Sequence, residues 1–148
     1  MEDPAKSLSA PPSDGGALTR FGPGYAALIG LIALAILLQA IFAGVFIEPG
    51  THSGSLDAHK VNAVVTAALG LIAAIYACAL LRRAARSLAI GSVVLAVLLI
   101  AVDAIGHAIT DSSDDGLTPV HIPLALACFG LTIWLSARAR SLRRAPAG

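Results

Sequence analysis

Charge is scarce in this chain. Asp, Glu, Lys and Arg make up 13% of its 148 residues and aromatics 5%, while the hydrophobic class reaches 57%. A soluble domain carries roughly 25% charge, so a water-exposed globule is excluded. The formal net charge of +1 carries no basic surface of the kind that binds phosphate backbones, which argues against a nucleic-acid partner. Motifs that announce common enzymes are also missing: there is no nucleotide loop, zinc-protease helix or hydrolase elbow.

Cysteine is scarce as well. Cys78 and Cys128 both lie inside apolar stretches. Counted at ~1.5 Å per residue, Cys78 falls roughly 28 Å below His59 and Cys128 about 10 Å below His121. Bridging would require Cα atoms within ~7 Å, so no disulfide framework is expected, and both residues read as small apolar side chains.

What the chain does have is four long apolar blocks, at about 25–47, 58–81, 88–109 and 118–137. Each is long enough to cross a bilayer as a helix. The expected fold class is all-α: an integral membrane, up-and-down four-helix bundle occupying residues 23–140. Residues 1–22, rich in proline, glycine and serine, read as a disordered tail. Glu2 and Asp3 do not suit a signal peptide, so the first helix is expected to be retained. Residues 141–148 read as a basic tail.

The ends of the blocks carry stop and start signals. Glu48-Pro49-Gly50 ends the first, Asp57 is expected to cap the second, and Thr118-Pro119 opens the fourth. Lys6, Arg20, Arg82, Arg83, Arg86, Arg138, Arg140, Arg143 and Arg144 flank one set of ends, and only Lys60 flanks the other. The positive-inside rule then places both termini in the cytoplasm. Alanine and arginine richness suggests a bacterial plasma membrane. All four histidines, His52, His59, His107 and His121, fall at or near the outer end.

Two of them stand out. His59 and His121 are 62 residues apart and open the second and fourth blocks. A shift of 62 also lays Leu37–Gly44 (LLQAIFAG) over Leu99–Gly106 (LIAVDAIG), with 15 residues from glycine to histidine in each half. This suggests two parallel helical hairpins related by an axis along the membrane normal. In an up-and-down bundle the second and fourth spans are diagonal, so the two imidazoles would face each other at similar depth, as axial ligation of a haem requires. Below them run stripes of small or polar residues: His59, Asn62, Thr66 and Ala73, and His121, Ala125, Cys128 and Thr132. Packed membrane helices meet through similar stripes without any cofactor, and histidines also sit at interfaces bonded to loop carbonyls or headgroups.

Other polar residues in the spans are candidates for supporting roles. Asp103, costly inside a bilayer, and His107 one turn later suit either a proton relay or a local pair that neutralises itself. Gln39 suits the same supporting roles or a plain contact between helices. Lys60 suits contact with a haem propionate, or a snorkelling lysine.

The segments Gln39–Asn62 (QAIFAGVFIEPGTHSGSLDAHKVN) and Thr118–Leu131 (TPVHIPLALACFGL) resemble one four-helix half of haem A synthase. In that family a histidine opens the second and fourth helices of each half, and the pair binds haem on the outer side. The resemblance implies haem ligation by His59 and His121. The chain departs from the family in having four spans rather than eight, no cysteine pair in the first outer loop, and Asp57-Ala58-His59 where the family has a glutamate further from the histidine. It is also similar to small four-span bacterial membrane proteins of unassigned function with the same glutamine, glycine and histidine landmarks.

The leading expectation is therefore a b-type haem-binding membrane protein in electron transfer or haem handling, with a membrane redox partner or a second copy of itself as associate. A non-catalytic scaffold or accessory subunit is the alternative. A small proton-coupled carrier using Asp103 is the third.

Overall fold

A computed structural model describes residues 15–47, 53–112 and 115–144. Four long helices account for nearly all of them: α1 (Gly15–Ile47), α2 (Ser53–Tyr76), α3 (Arg86–Ser112) and α4 (Thr118–Arg144). A π-helical turn, Ala77–Leu81, extends α2, and a short 3₁₀ turn, Asp115–Leu117, leads into α4. No strand occurs among the described residues. All four helices are long and apolar enough to cross a membrane, and this is an all-α bundle suited to a bilayer.

The surface explains why. Large apolar side chains face outward on every helix, among them Leu34, Val61, Val97 and Leu126, the last 71% exposed. In water such a belt would drive aggregation, whereas in lipid it is the solvated face. Lipid tails give apolar side chains no reason to leave them, so helices associate through close packing and polar contacts. The interior accordingly uses small residues (Ala73, Ala77, Ala85, Ala89, Ala96, Cys128 and Ala139), filled in by Ile29, Ile32, Leu81, Leu88, Leu95 and Leu135. The stripes on α2 and α4 both turn inward, with Thr66, Ala73, Cys128 and Thr132 buried.

Each helix packs on its neighbours in sequence and α1 closes the ring against α4, while no Cα pair within 8 Å joins α2 to α4. The second and fourth helices are thus diagonal, as short connections dictate. Across the other diagonal a long side chain does the joining. The Tyr25 hydroxyl of α1 lies 2.8 Å from Ser92 Oγ of α3, and both residues are fully buried.

Several expected boundaries move. Helix α1 starts at Gly15, so residues 15–22 belong to it rather than to a disordered tail, and Pro23 lies inside it. Proline removes one helical N–H, which membrane helices tolerate when neighbours bond the backbone nearby; here the Tyr76 hydroxyl of α2 donates to the Phe21 carbonyl (3.0 Å). Asp57 does not cap α2. Ser53-Gly54-Ser55 extends the helix by a turn, which leaves Asp57 exposed on its side. Helix α4 begins at Thr118 as expected but continues through Arg138, Arg140, Arg143 and Arg144, where cations suit the negative end of the helix dipole. Ser141–Arg144 is therefore helical, and residues 145–148, like His52 and Glu48-Pro49-Gly50, lie outside the described residues. Both cysteines are free thiols.

Tyr25 separates two contributions to stability. Tyr25→Phe removes only the cross-diagonal bond and should cost about 0.6 kcal/mol, the usual worth of such a bond in a membrane bundle. Tyr25→Ala empties a core position and should cost about 3–5 kcal/mol. Reversible unfolding in mixed micelles would measure both.

Candidate functional site

The histidine end of the bundle holds a cavity of about 400 Å³, within the range of small-molecule and cofactor sites. Its walls are mostly apolar, contributed by Ala43, Ala63, Val102, Ile109 and Ile122, and its polar groups come from Gln39, His59, Lys60, Asp103, His107 and His121, with Thr110 and Thr118. All six residues singled out in the sequence therefore converge on one space.

His59 enters from α2 and is held from two sides. Its Nδ1 donates to the Gln39 carbonyl of α1 (3.2 Å), while the Gln39 side-chain amide donates back to the His59 carbonyl (3.0 Å). Asn62, one turn further along α2, donates to Gln39 Oε1 (2.6 Å) and to the Ala35 carbonyl (2.9 Å). These bonds lock the Gln39 amide as well as the imidazole. A carbonyl can only accept, so Nδ1 carries the hydrogen and Nε2 is the lone-pair nitrogen of the neutral ring. Metal-binding histidines are held in this way by a backbone carbonyl behind them.

His121 enters from the diagonal helix, one turn into α4. Its ring lies over Gly106 of α3: a Cβ built there would stand 3.0 Å from Cε1. The Val102 carbonyl is beside it, and the two imidazoles are within electrostatic range of each other. His121 Nδ1 is buried without a hydrogen-bond partner among the described residues. Such an atom costs about 1–3 kcal/mol.

Asp103 contributes the second orphan. Its Oδ1 lies 3.2 Å from His107 Nδ1, but that nitrogen bonds the Asp103 backbone carbonyl (3.0 Å), so the buried Oδ1 has no hydrogen bond among the described residues. Nearer the helix end, Thr110 Oγ1 bonds the His107 carbonyl (3.0 Å), and Lys60 pairs with Asp111 (3.3 Å). That pair is exposed and worth at most about 1 kcal/mol, so Lys60 is easily released to another anion.

No group of three or more His, Cys, Asp or Glu side chains among the described residues could hold a bare metal ion. His59 from α2 and His121 from α4 both line the cavity. In the sequence Asn62 is one member of a stripe, and its spacing of three from His59 gives no sign that it clamps Gln39. Gly106 is a repeat landmark there, and its role as the seat of a ring is visible only with α4 in place.

Among known proteins, no family pattern, no characterised sequence and no solved structure matches the chain.

The seat at Gly106 can be tested directly. Gly106→Val places two methyl groups where the His121 ring lies, so the His121 ring signals in a histidine-labelled NMR spectrum should shift, while the Trp134 indole signal at the far end of α4 should not. Unchanged His121 signals would show that the ring does not rest on Gly106.

Proposed function

We propose that the chain is a membrane b-type haem protein that holds one haem between His59 and His121. The observation that carries this reading is the meeting of two imidazoles from diagonal helices in one apolar cavity of about 400 Å³, one with its tautomer set by a carbonyl and the other with a buried, unpartnered nitrogen. A haem held by His59 and His121 would supply one-electron chemistry, which suits electron transfer or haem handling. Gln39 and Asn62 orient His59. Gly106 leaves room for His121, and Lys60 exchanges Asp111 for a haem carboxylate at the cavity mouth. The resemblance to one half of haem A synthase points the same way.

The arginines at the opposite end support an orientation with the haem on the outer side of a bacterial plasma membrane and both termini in the cytoplasm. A membrane redox partner, or a second copy of the chain, passes the electron on.

A second reading has its own support. The bonds among Gln39, His59, Asn62 and Ala35 are complete as they stand, and interhelical polar contacts of this kind hold accessory membrane subunits together without any cofactor.

Absorbance separates the two. Protein purified from haem-replete cells should show a Soret band with about one haem per chain; His59→Ala and His121→Ala should lose it. Asn62→Ala should weaken haem affinity by about 10–100-fold, as is usual when the group orienting a ligand is removed. A colourless wild-type protein, or a band indifferent to both histidine variants, overturns the haem reading. Reporter fusions at the carboxyl terminus test orientation: a cytoplasmic reporter should be active there and a periplasmic one silent.

A further inference from the structure

Beneath the main cavity lies a second one of about 40 Å³. The two share Gln39, Ala63, Val102 and Asp103 in their walls. Its remaining polar groups are Thr66 and Cys128, and the Thr66 hydroxyl already donates to the Asn62 carbonyl (2.7 Å). A space of this size admits one or two waters where polar partners exist. Among the described residues Asp103 is the only carboxylate on either wall, and its buried Oδ1 has no hydrogen bond.

Towards the helix end the same carboxylate meets His107. The two side chains are one helical turn apart at 3.2 Å, and exposure rises from 23% for Asp103 to 39% for His107. His107 thus has one nitrogen at the carboxylate and a ring that reaches open solvent. We propose that Asp103 and His107 form a proton-exchange site that connects the interior of the bundle to water at the histidine end. A proton from water binds His107 Nε2. The Nδ1 hydrogen, now bonded to the Asp103 carbonyl, turns to Oδ1 and is transferred, which neutralises the carboxylate and returns the ring to its neutral form. Release runs the same steps in reverse. No electron moves and no other reactant is consumed.

The surroundings favour such a site. Facing Asp103 across the cavities are His59 and Lys60 from α2 and His121 and Cys128 from α4, while α1 contributes only the Gln39 amide. None of these makes a hydrogen bond to Oδ1, so His107, with Nδ1 3.2 Å away, is the group placed to exchange a proton with it. A carboxylate inside a bilayer, where charge is expensive, gains from a route by which a proton can reach it. Gln39, a relay candidate from sequence, is excluded from the route because both ends of its amide are bonded to α2. The proposal concerns Asp103 and His107 alone and does not require haem.

Infrared spectroscopy of the full-length, cofactor-free protein in lipid nanodiscs tests it. Acid-minus-alkaline difference spectra should contain a protonated carboxyl band that disappears in Asp103→Asn and moves in frequency in Asp103→Glu. On transfer to D₂O this band should shift promptly in the wild type and roughly a hundredfold more slowly in His107→Leu, the lower end of what a positioned proton carrier contributes. Circular dichroism shows whether each variant keeps its helices. A band that survives Asp103→Asn, or exchange equally fast in a folded His107→Leu protein, overturns the proposal. Because no haem is present, neither result depends on the Soret measurement.

Discussion

A bilayer offers no water to a polar group, and this constraint organises the molecule. Helices answer it for the backbone by closing their own hydrogen bonds. Side chains must answer it by pairing across the bundle. Tyr25 reaches Ser92 on the opposite helix, Tyr76 reaches the backbone beside Pro23, and Gln39, His59 and Asn62 bond one another. Thr66 and Thr132 each bond a carbonyl one turn back in their own helices. Against that pattern of satisfaction the two buried exceptions, Asp103 Oδ1 and His121 Nδ1, carry information: they lie on the same cavity.

The two ends of the bundle are built for different purposes. At the arginine end α2 turns into α3 through a π-helical turn closed by the Ala85 amide on the Leu81 carbonyl (2.7 Å), and Leu81, Ala85, Leu88 and Ala89 are buried there in the core. At the histidine end small residues, Ala43, Ala63 and Gly106, leave space between helices. The repeat is visible in this arrangement but is not exact. His59 and His121 occupy matching positions and each lies beside a carbonyl of the preceding helix, that of Gln39 or Val102. Yet Gly106 seats a ring, whereas its counterpart Gly44 meets only open space. The first half clamps its histidine with polar side chains, and the second leaves its histidine short of a partner and sets a carboxylate nearby.

Much of this was legible in the sequence. Apolar block length sets the number of helices, and short connections set their order around the ring, so the diagonal placement of His59 and His121 follows without coordinates. Boundaries were less legible. Asp57 has the chemistry of a cap, but a local preference worth about 1 kcal/mol does not stop a helix that Ser53-Gly54-Ser55 can prolong. The proline and glycine near residue 22 likewise look like the end of a tail until Tyr76 and Arg143 are seen packing against that turn.

Sequence alone determined that the chain is a four-helix membrane bundle with His59, His107 and His121 at one end, because hydropathy and charge act residue by residue along the chain. Only the tertiary structure decided which polar groups satisfy one another. It assigned Asn62 to Gln39, Gln39 to His59 and Lys60 to Asp111, and it left Asp103 and His121 each with a buried atom unpaired. Hydrogen bonding depends on distances of a few tenths of an ångström between side chains of different helices, and nothing in the order of residues along one helix encodes that.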